Sequence, residues 1–429
     1  NFLPCDISSI AKLNRLVQKS VNKVHQRGLT MSLAQNRYSP LYFLASLGAG
    51  GLAVTFFMWL MFWVPHPDQP VPIFENNFAV LTTGSILQQA MVLGAMAGIA
   101  VFGFLNIKLL IWNLGRFSAF RAAASYSDFA ASNAGSQVLA LPLALAMTVN
   151  VGFLLGLTFV PGLWSIVEYL FPAAMAAFLM IGILAFRMIA DFLKARFANG
   201  GFKCAANNSF AQVLPAFALS MIGVGLAAPA AMSNLQLTAG VSIILGTFFI
   251  TAALLIAFVA AILGLRSIME NGLNVEAAPT LMVIIPLITV VSIAMMRISH
   301  GLHVHFDIHG GAGETFTFLT RMLSIEVLIA LFGIMALASV GYLGRFINGT
   351  EASAGSYALV CPGVAMSVLG HFWINKGLVA TGMIAKFGAA YWVLSALALG
   401  LQFGMIALVL ILARKHFAKN SAAALAPAE

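Results

Sequence analysis

Charged side chains are scarce in this sequence of 429 residues. Asp, Glu, Lys and Arg together make up 8% of it, whereas apolar residues make up 61%. Soluble globular domains carry about 25% charged residues, and a soluble fold could not bury this much apolar surface. The scarcity of charge therefore predicts that lipid surrounds most of the chain. We expect one membrane domain and no separate soluble domain.

Cysteines and catalytic motifs are equally sparse. Cys5, Cys204 and Cys361 lie far apart and lack the spacing of metal ligands. The sequence contains no nucleotide-binding P-loop, catalytic triad or pair of haem-ligand histidines. It also lacks the short alternating segments that form a β-barrel. We therefore expect an all-α protein that is not an enzyme and has no cofactor.

Long apolar runs are the main feature that is present. A transmembrane helix needs about 20 apolar residues, and the sequence has ten such runs joined by short loops. They predict spans at residues 41–64, 84–113, 137–159, 163–193, 209–231, 238–265, 278–297, 316–345, 356–375 and 388–413. The predicted membrane domain covers residues 39–415, between a basic amphipathic segment at 1–38 and a tail at 416–429.

The positive charge is concentrated on one side of the predicted topology. With the N-terminus in the cytoplasm, all but four of the 22 Lys and Arg residues fall on the cytoplasmic side; the four are Arg297, Arg321, Lys376 and Lys386. This bias sets the orientation of inner-membrane proteins. It predicts a multi-pass protein of the cell (inner) membrane with both termini cytoplasmic. The net charge of +9 then reflects orientation and not nucleic-acid binding. Segment 1–38 either lies on the lipid surface or packs on the inner face of the domain.

Prolines recur at one depth in the odd-numbered spans. Each lies six to eight residues from the predicted cytoplasmic start of its span: Pro142, Pro215, Pro286 and Pro362. The first span has Gly50 and two neighbouring glycines at the corresponding place. A proline inside a helix removes a backbone hydrogen bond and kinks the helix. The pattern predicts five helix hairpins around a central pore, with kinked inner helices.

Apart from Arg297, the last residue of the seventh predicted span, which we assign to the outer side, the predicted odd-numbered spans contain no Asp, Glu, Lys or Arg. Their ionisable groups are the imidazole of His371 and the thiol of Cys361. Cation pathways usually carry carboxylates or ordered carbonyl groups. An uncharged, kinked wall therefore favours a pore for small anions, which would bind weakly and leave again.

Three segments carry a resemblance to a known family. Leu41-Tyr42-Phe43 with the following Gly-rich turn, Leu214-Pro215-Ala216 and Ile285-Pro286-Leu287 resemble the opening and proline-bearing helices of the tellurite-resistance/dicarboxylate transporter family, which includes TehA and the plant slow-type anion channels. The resemblance covers about residues 40–415. It implies five helix hairpins around a central pore, a homotrimer with one pore per subunit, and transport of small anions across the lipid bilayer.

The chain departs from that family at the pore plug. The family has a Phe before the proline of the ninth helix, whereas this chain has Cys361 before Pro362 and Gly363. Either the plug is missing or another aromatic residue, such as Phe372, replaces it. The run Val360-Cys361-Pro362-Gly363 resembles the TsoY branch of the family, which includes selenoproteins. We expect Cys361, Pro362 and Gly363 to line the pore.

Polar residues near the outer side add two further candidate sites. Glu326 lies inside the eighth span, and His371 lies at a similar depth in the next, so the two could pair as a proton site; a nearby hydroxyl or Arg321 are alternative partners for Glu326. A second group could bind Zn²⁺ or Cu²⁺, or simply form a polar loop: His300, His303, His305 and His309.

Three functions remain open from the sequence. The first is a passive anion channel or uniporter. The second is a proton-coupled anion carrier that uses Glu326 and His371. The third is a membrane thiol redox enzyme or sensor that acts through Cys361.

Overall fold

The computed structural model describes residues 38–308 and 310–418. The predicted amphipathic segment, except for residue 38, and the tail from residue 419 lie outside the described residues. Every regular element within the described ranges is helical and none is a strand. The prediction of an all-α membrane protein is therefore confirmed.

Ten helices are long and apolar enough to cross a membrane, which confirms the predicted number of spans. We number them α1 Pro40–Trp63, α2 Ile86–Ala122, α3 Asn133–Phe159, α4 Leu163–Ala198, α5 Ala211–Met232, α6 Gln236–Asn271, α7 Ala278–His305, α8 Ala312–Ser339, α9 Ala354–Val379 and α10 Ala389–Phe417. Short helices at Phe74–Thr83 and Tyr126–Ala131 lie in the loops that follow α1 and α2.

The odd-numbered helices form a closed inner ring. Each contacts the next odd-numbered helix, and α9 returns to contact α1. In their most apolar stretches, 50% to 94% of the residues are buried, against 22% to 33% in the even-numbered helices. Each even-numbered helix packs outside, against the two inner helices that flank it. The arrangement is therefore five hairpins around a central axis, with the apolar outer helices facing lipid.

The four recurrent prolines lie within the first ten residues of their inner helices. Each inner helix from α3 onward begins with a 3-10 segment and becomes α-helical just before its proline. Pro215 is the second residue of its α-helical segment, and Pro142, Pro286 and Pro362 are each the third. A proline is tolerated in the first α-helical turn, where its missing N–H has no intrahelical role. The prolines therefore mark the change from 3-10 to α-helix within each inner helix.

Candidate functional site

A cavity of about 870 Å³ lies inside the ring and is lined by all five inner helices. The closed end of the cavity is formed by the first lining residue of each inner helix, counted from the N-terminus of that helix: Leu47, Met147, Phe217, Pro286 and Cys361. Of the residues that the structure describes, none nearer to those N-termini lines the cavity. The other end reaches the loops that contain His66 and Gly310. The cavity is therefore closed toward the side predicted to be cytoplasmic.

The predicted pore residues divide into two groups. Cys361, Pro286 and Phe372 line the cavity, whereas Pro142, Pro215 and Pro362 are not in its lining. Cys361 is only 5% exposed, so small molecules reach its thiol through the cavity. Phe372 lies about three turns further along α9 than Cys361, and its ring packs against Phe62 at 5.3 Å. Phe372 therefore lies toward the open end and does not replace a plug at the level of Cys361.

The glycines predicted to open the pore have a packing role instead. A Cβ at Gly363 would lie 2.5 Å from the sulfur of Met405 on α10, so this glycine faces the outer helix. A Cβ at Gly50 would lie 2.7 Å from Met147 and 2.9 Å from the amide nitrogen of Asn106. Both predicted roles in the lining are wrong, because the close approach of a neighbouring helix requires the missing side chain. The other two glycines of this run, Gly48 and Gly51, do line the cavity.

Arg297 places a positive charge in the cavity wall. Helix α7 runs to His305, about two turns beyond the predicted end of the span, so Arg297 lies within the helix and lines the cavity. Its Nη1 donates a hydrogen bond of 2.8 Å to the carbonyl oxygen of Val224 on α5. Within the described ranges, no carboxylate lies within 4.0 Å of its guanidinium. The prediction of an uncharged wall is therefore wrong at this level.

The partner of Arg297 belongs to a break in α5. The helix consists of Leu214–Leu226 and Ala228–Met232, and residues on both sides of the break line the cavity. From the outside, Ser242 of α6 donates to the carbonyl of Leu226 at 2.6 Å and accepts from the N–H of Ala230 at 2.9 Å. From the inside, Arg297 bonds to Val224. The break is therefore fixed on both sides, and it orients the Arg297 side chain.

The open end of the cavity carries further basic groups. Lys376 lies in the π-helical last turns of α9, Trp373–Val379, and lines the cavity together with His300 and His303. His66, in the first loop, also lines it; partial burial and the charges of Lys376 and a second nearby lysine lower the pKa of His66. Glu314 is the only carboxylate among the described lining residues. With Arg297 and Lys376 positive and Glu314 negative, the described cavity lining has a net charge of +1 when its histidines are neutral.

Glu326 and His371 do not pair. The carboxylate of Glu326 accepts a hydrogen bond from the hydroxyl of Thr289, so the alternative of a hydroxyl partner is the correct one. His371 is fully buried against Phe62 and Trp63, and neither of its ring nitrogens has a hydrogen-bond partner. No ion pair links the two residues in the described part of the chain. The predicted pair is wrong because each side chain faces a different neighbour.

The described histidines of the predicted metal site do not form a group that could bind a metal ion. His300, His303 and His305 lie on the last turns of α7, and His309 lies outside the described residues. His300 and His303 line the cavity, whereas Nε2 of His305 lies 3.0 Å from the carbonyl oxygen of Ser233. Among the described residues no group of three His, Cys, Asp or Glu could bind a metal ion. The three described histidines thus belong to two different surfaces.

The sequence contained a signal for the residues that were missed. Pro286, Thr289, Ile293, Arg297 and His300 follow one another at intervals of three or four residues, which is one face of a helix, and all five line the cavity. Because the seventh span was predicted to end at residue 297, Arg297 and His300 were assigned to the outer side and not to this face. Phe217 and Met147 had no such signal, because apolar residues surround them in sequence.

The chain matches no protein-family model, and no curated protein matches it. The ten apolar helices and the cavity that five of them enclose fit a membrane transporter or channel.

Proposed function

We propose that this membrane protein moves small anions through the central cavity, as a channel or uniporter. The observation that supports this proposal most directly is Arg297, a fixed cation in the cavity wall that forms an ion pair with no carboxylate of the described ranges. Its bond to Val224 uses one donor of a guanidinium that has five. The remaining donors are available to an anion in the cavity.

The charge at the open end supports the same function. Lys376, His66, His300 and His303 surround the mouth, with Glu314 as their acidic counterpart. Together with Arg297 they give the lining a net positive charge, and a positive lining with apolar walls concentrates anions and repels cations. The deeper lining is apolar apart from a few groups such as Asn150 and Thr289, so an anion there has few partners to hold it and can leave.

The family relationship and the surroundings of the protein also remain proposals. We propose that the chain belongs to the tellurite-resistance/dicarboxylate transporter family, near its TsoY branch, because that family has five helix hairpins around a pore. A homotrimer in the inner membrane with cytoplasmic termini and no enzymatic activity follows from the same proposal. A thiol redox function is less well supported, because no acidic or basic side chain in the described part of the chain acts on the Cys361 thiol.

The proposal is tested by anion flux into proteoliposomes. Arg297→Gln should lower nitrate flux by about tenfold or more, the effect of about 1.4 kcal/mol on a barrier, whereas Arg297→Lys should retain much of it. Arg266→Gln is the matched control, because Arg266 is exposed and pairs with Glu270 on α6, away from the cavity. Wild-type protein that passes no anion, or an Arg297→Gln variant with normal flux, would contradict the proposal.

A further inference from the structure

Glu326 lies on the buried face of the outer helix α8. Only 22% of the most apolar stretch of α8 is buried, yet Glu326 is fully buried. It lies in a stripe with Leu319, Ala330, Gly333 and Leu337, which are also buried and follow helical spacing. Helix α8 packs against α7 and α9. The carboxylate therefore faces the inner ring and not lipid.

Thr289 connects this carboxylate to the cavity. Thr289 lies on α7 and lines the cavity, and its hydroxyl donates to Oε1 of Glu326. Glu326 itself is not in the described lining, and its Oε2 is buried without a hydrogen-bond partner. A proton that moves between the cavity and the carboxylate thus has one hydroxyl to cross.

The neighbouring charges do not neutralise an ionised Glu326. The packed helices α7, α8 and α9 carry the following titratable or charged groups: Arg297, His300, His303, His305, Glu314, Arg321, Tyr357, Cys361, His371 and Lys376. Among the described residues none of them forms an ion pair with Glu326. An ionised carboxylate inside a membrane bundle is costly without a partner. The neutral form is therefore the resting form.

We propose that Glu326 and Thr289 form a proton-binding site that loads from the central cavity and couples proton binding to anion entry. In the loading step Thr289 passes its hydroxyl proton to the ionised carboxylate and takes one from a hydronium ion in the cavity. The Thr289 O–H bond breaks as an O–H bond forms on the carboxylate, and a hydronium O–H bond breaks as a new one forms on Thr289. Water is left in the cavity, and the net charge of the site rises from −1 to 0. The inference rests on the proposed anion transport, and it makes that transport proton-coupled in place of a passive channel or uniporter.

The coupling follows from the sign of the charges. Ionised Glu326 places a negative charge behind the wall of the cavity that Arg297 makes attractive to anions. Protonation removes that repulsion, so a proton favours the anion. By linkage an anion in the cavity favours the proton to the same extent. An anion and a proton therefore enter together.

Proton movement during anion uptake tests the proposal. Proteoliposomes contain a pH-sensitive dye, the membrane potential is clamped with potassium and valinomycin, and an inward nitrate gradient is applied. The wild-type protein should acidify the lumen. Glu326→Gln and Thr289→Val should lose this acidification, and their nitrate flux should become independent of pH. Thr289→Ser should restore both, because it keeps the hydroxyl. Glu270→Gln, an exposed carboxylate on α6, should behave as the wild type.

Three results would overturn the proposal, and they are distinguishable. Nitrate flux through the wild type without acidification would refute proton coupling and leave anion transport intact. Acidification by Glu326→Gln at the wild-type rate would refute the site. No nitrate flux at any pH would refute the proposed function itself. If Glu326→Gln does not elute as a single species in detergent, Thr289→Val decides, because it keeps the carboxylate in place.

Discussion

The guanidinium of Arg297 on α7 and the carbonyl of Val224 on α5 are joined by a hydrogen bond of 2.8 Å across the cavity wall. Val224 lies near the C-terminal end of Leu214–Leu226, where a helix carries a partial negative charge. The bond therefore stabilises the end of this helical segment and fixes the cation in one place. The Arg297 side chain therefore has both a structural and an electrostatic role.

Replacing the serine that closes the α5 break should destabilise the protein. Ser242→Ala removes the donor to Leu226 and the acceptor of the Ala230 N–H, and leaves both backbone groups buried without partners. The expected cost is about 1–3 kcal/mol, measured as a lower thermal unfolding midpoint in detergent. Ser324→Ala is the control, because that exposed hydroxyl donates only within its own helix. Equal midpoints for the two variants would show that the break does not depend on Ser242.

Two glycines of α2 should respond in opposite directions to alanine. A Cβ at Gly98 would lie 2.4 Å from ring carbons of Phe56, whereas a Cβ at Gly115 would meet nothing within 4 Å. Gly98→Ala should therefore cost about 1–3 kcal/mol by overpacking. Gly115→Ala should gain up to about 1 kcal/mol from helix propensity. The thermal unfolding midpoints of both variants show the sign of each change in stability. A Gly98→Ala protein as stable as the wild type would mean that α1 and α2 can separate.

Acidification should destabilise the protein partly through His66. Burial and the charges of Lys376 and Lys386 lower the pKa of His66 from its usual 6.5. A lowered histidine pKa means that the unfolded chain binds more protons, so stability is lost as the pH falls below 6.5 toward the folded-state value. His66→Gln should lose less stability than the wild type over that interval. An identical pH profile of the unfolding midpoint in both proteins would contradict this role.

The orientation can be tested with single cysteines at two exposed positions. Asn271 ends α6 and Gly311 precedes α8, and both are exposed. In a background without Cys5 and Cys204, an impermeant thiol reagent should label Gly311→Cys in intact cells and not Asn271→Cys, because the charge bias predicts opposite sides. Equal labelling at both positions would refute the predicted topology. Ser267 is unsuitable for a labelling cysteine, because it is buried and its hydroxyl donates a hydrogen bond to the carbonyl oxygen of Cys204.

The sequence was sufficient for the fold and insufficient for the site. Apolar length and the register of the prolines predicted ten spans and an inner ring, since both depend on patterns along the chain. The roles of Gly50 and Gly363 could not be predicted, because a glycine gives the same signal whether it opens a cavity or admits a neighbouring helix. Thr289 could be identified only from the structure, which places it between the cavity and Glu326.

Thiol modification at the closed end tests most directly whether the cavity is the anion pathway. In a background without Cys5 and Cys204, methyl methanethiosulfonate should block nitrate flux, because Cys361 is 5% exposed and is reached through the cavity. Cys361→Ala should keep or raise the flux and resist the reagent. Cys361→Phe should lower the flux by about tenfold or more, about 1.4 kcal/mol on the barrier. Equal block of the Cys361→Ala variant, together with unchanged flux through folded Cys361→Phe, would contradict a pathway through this cavity.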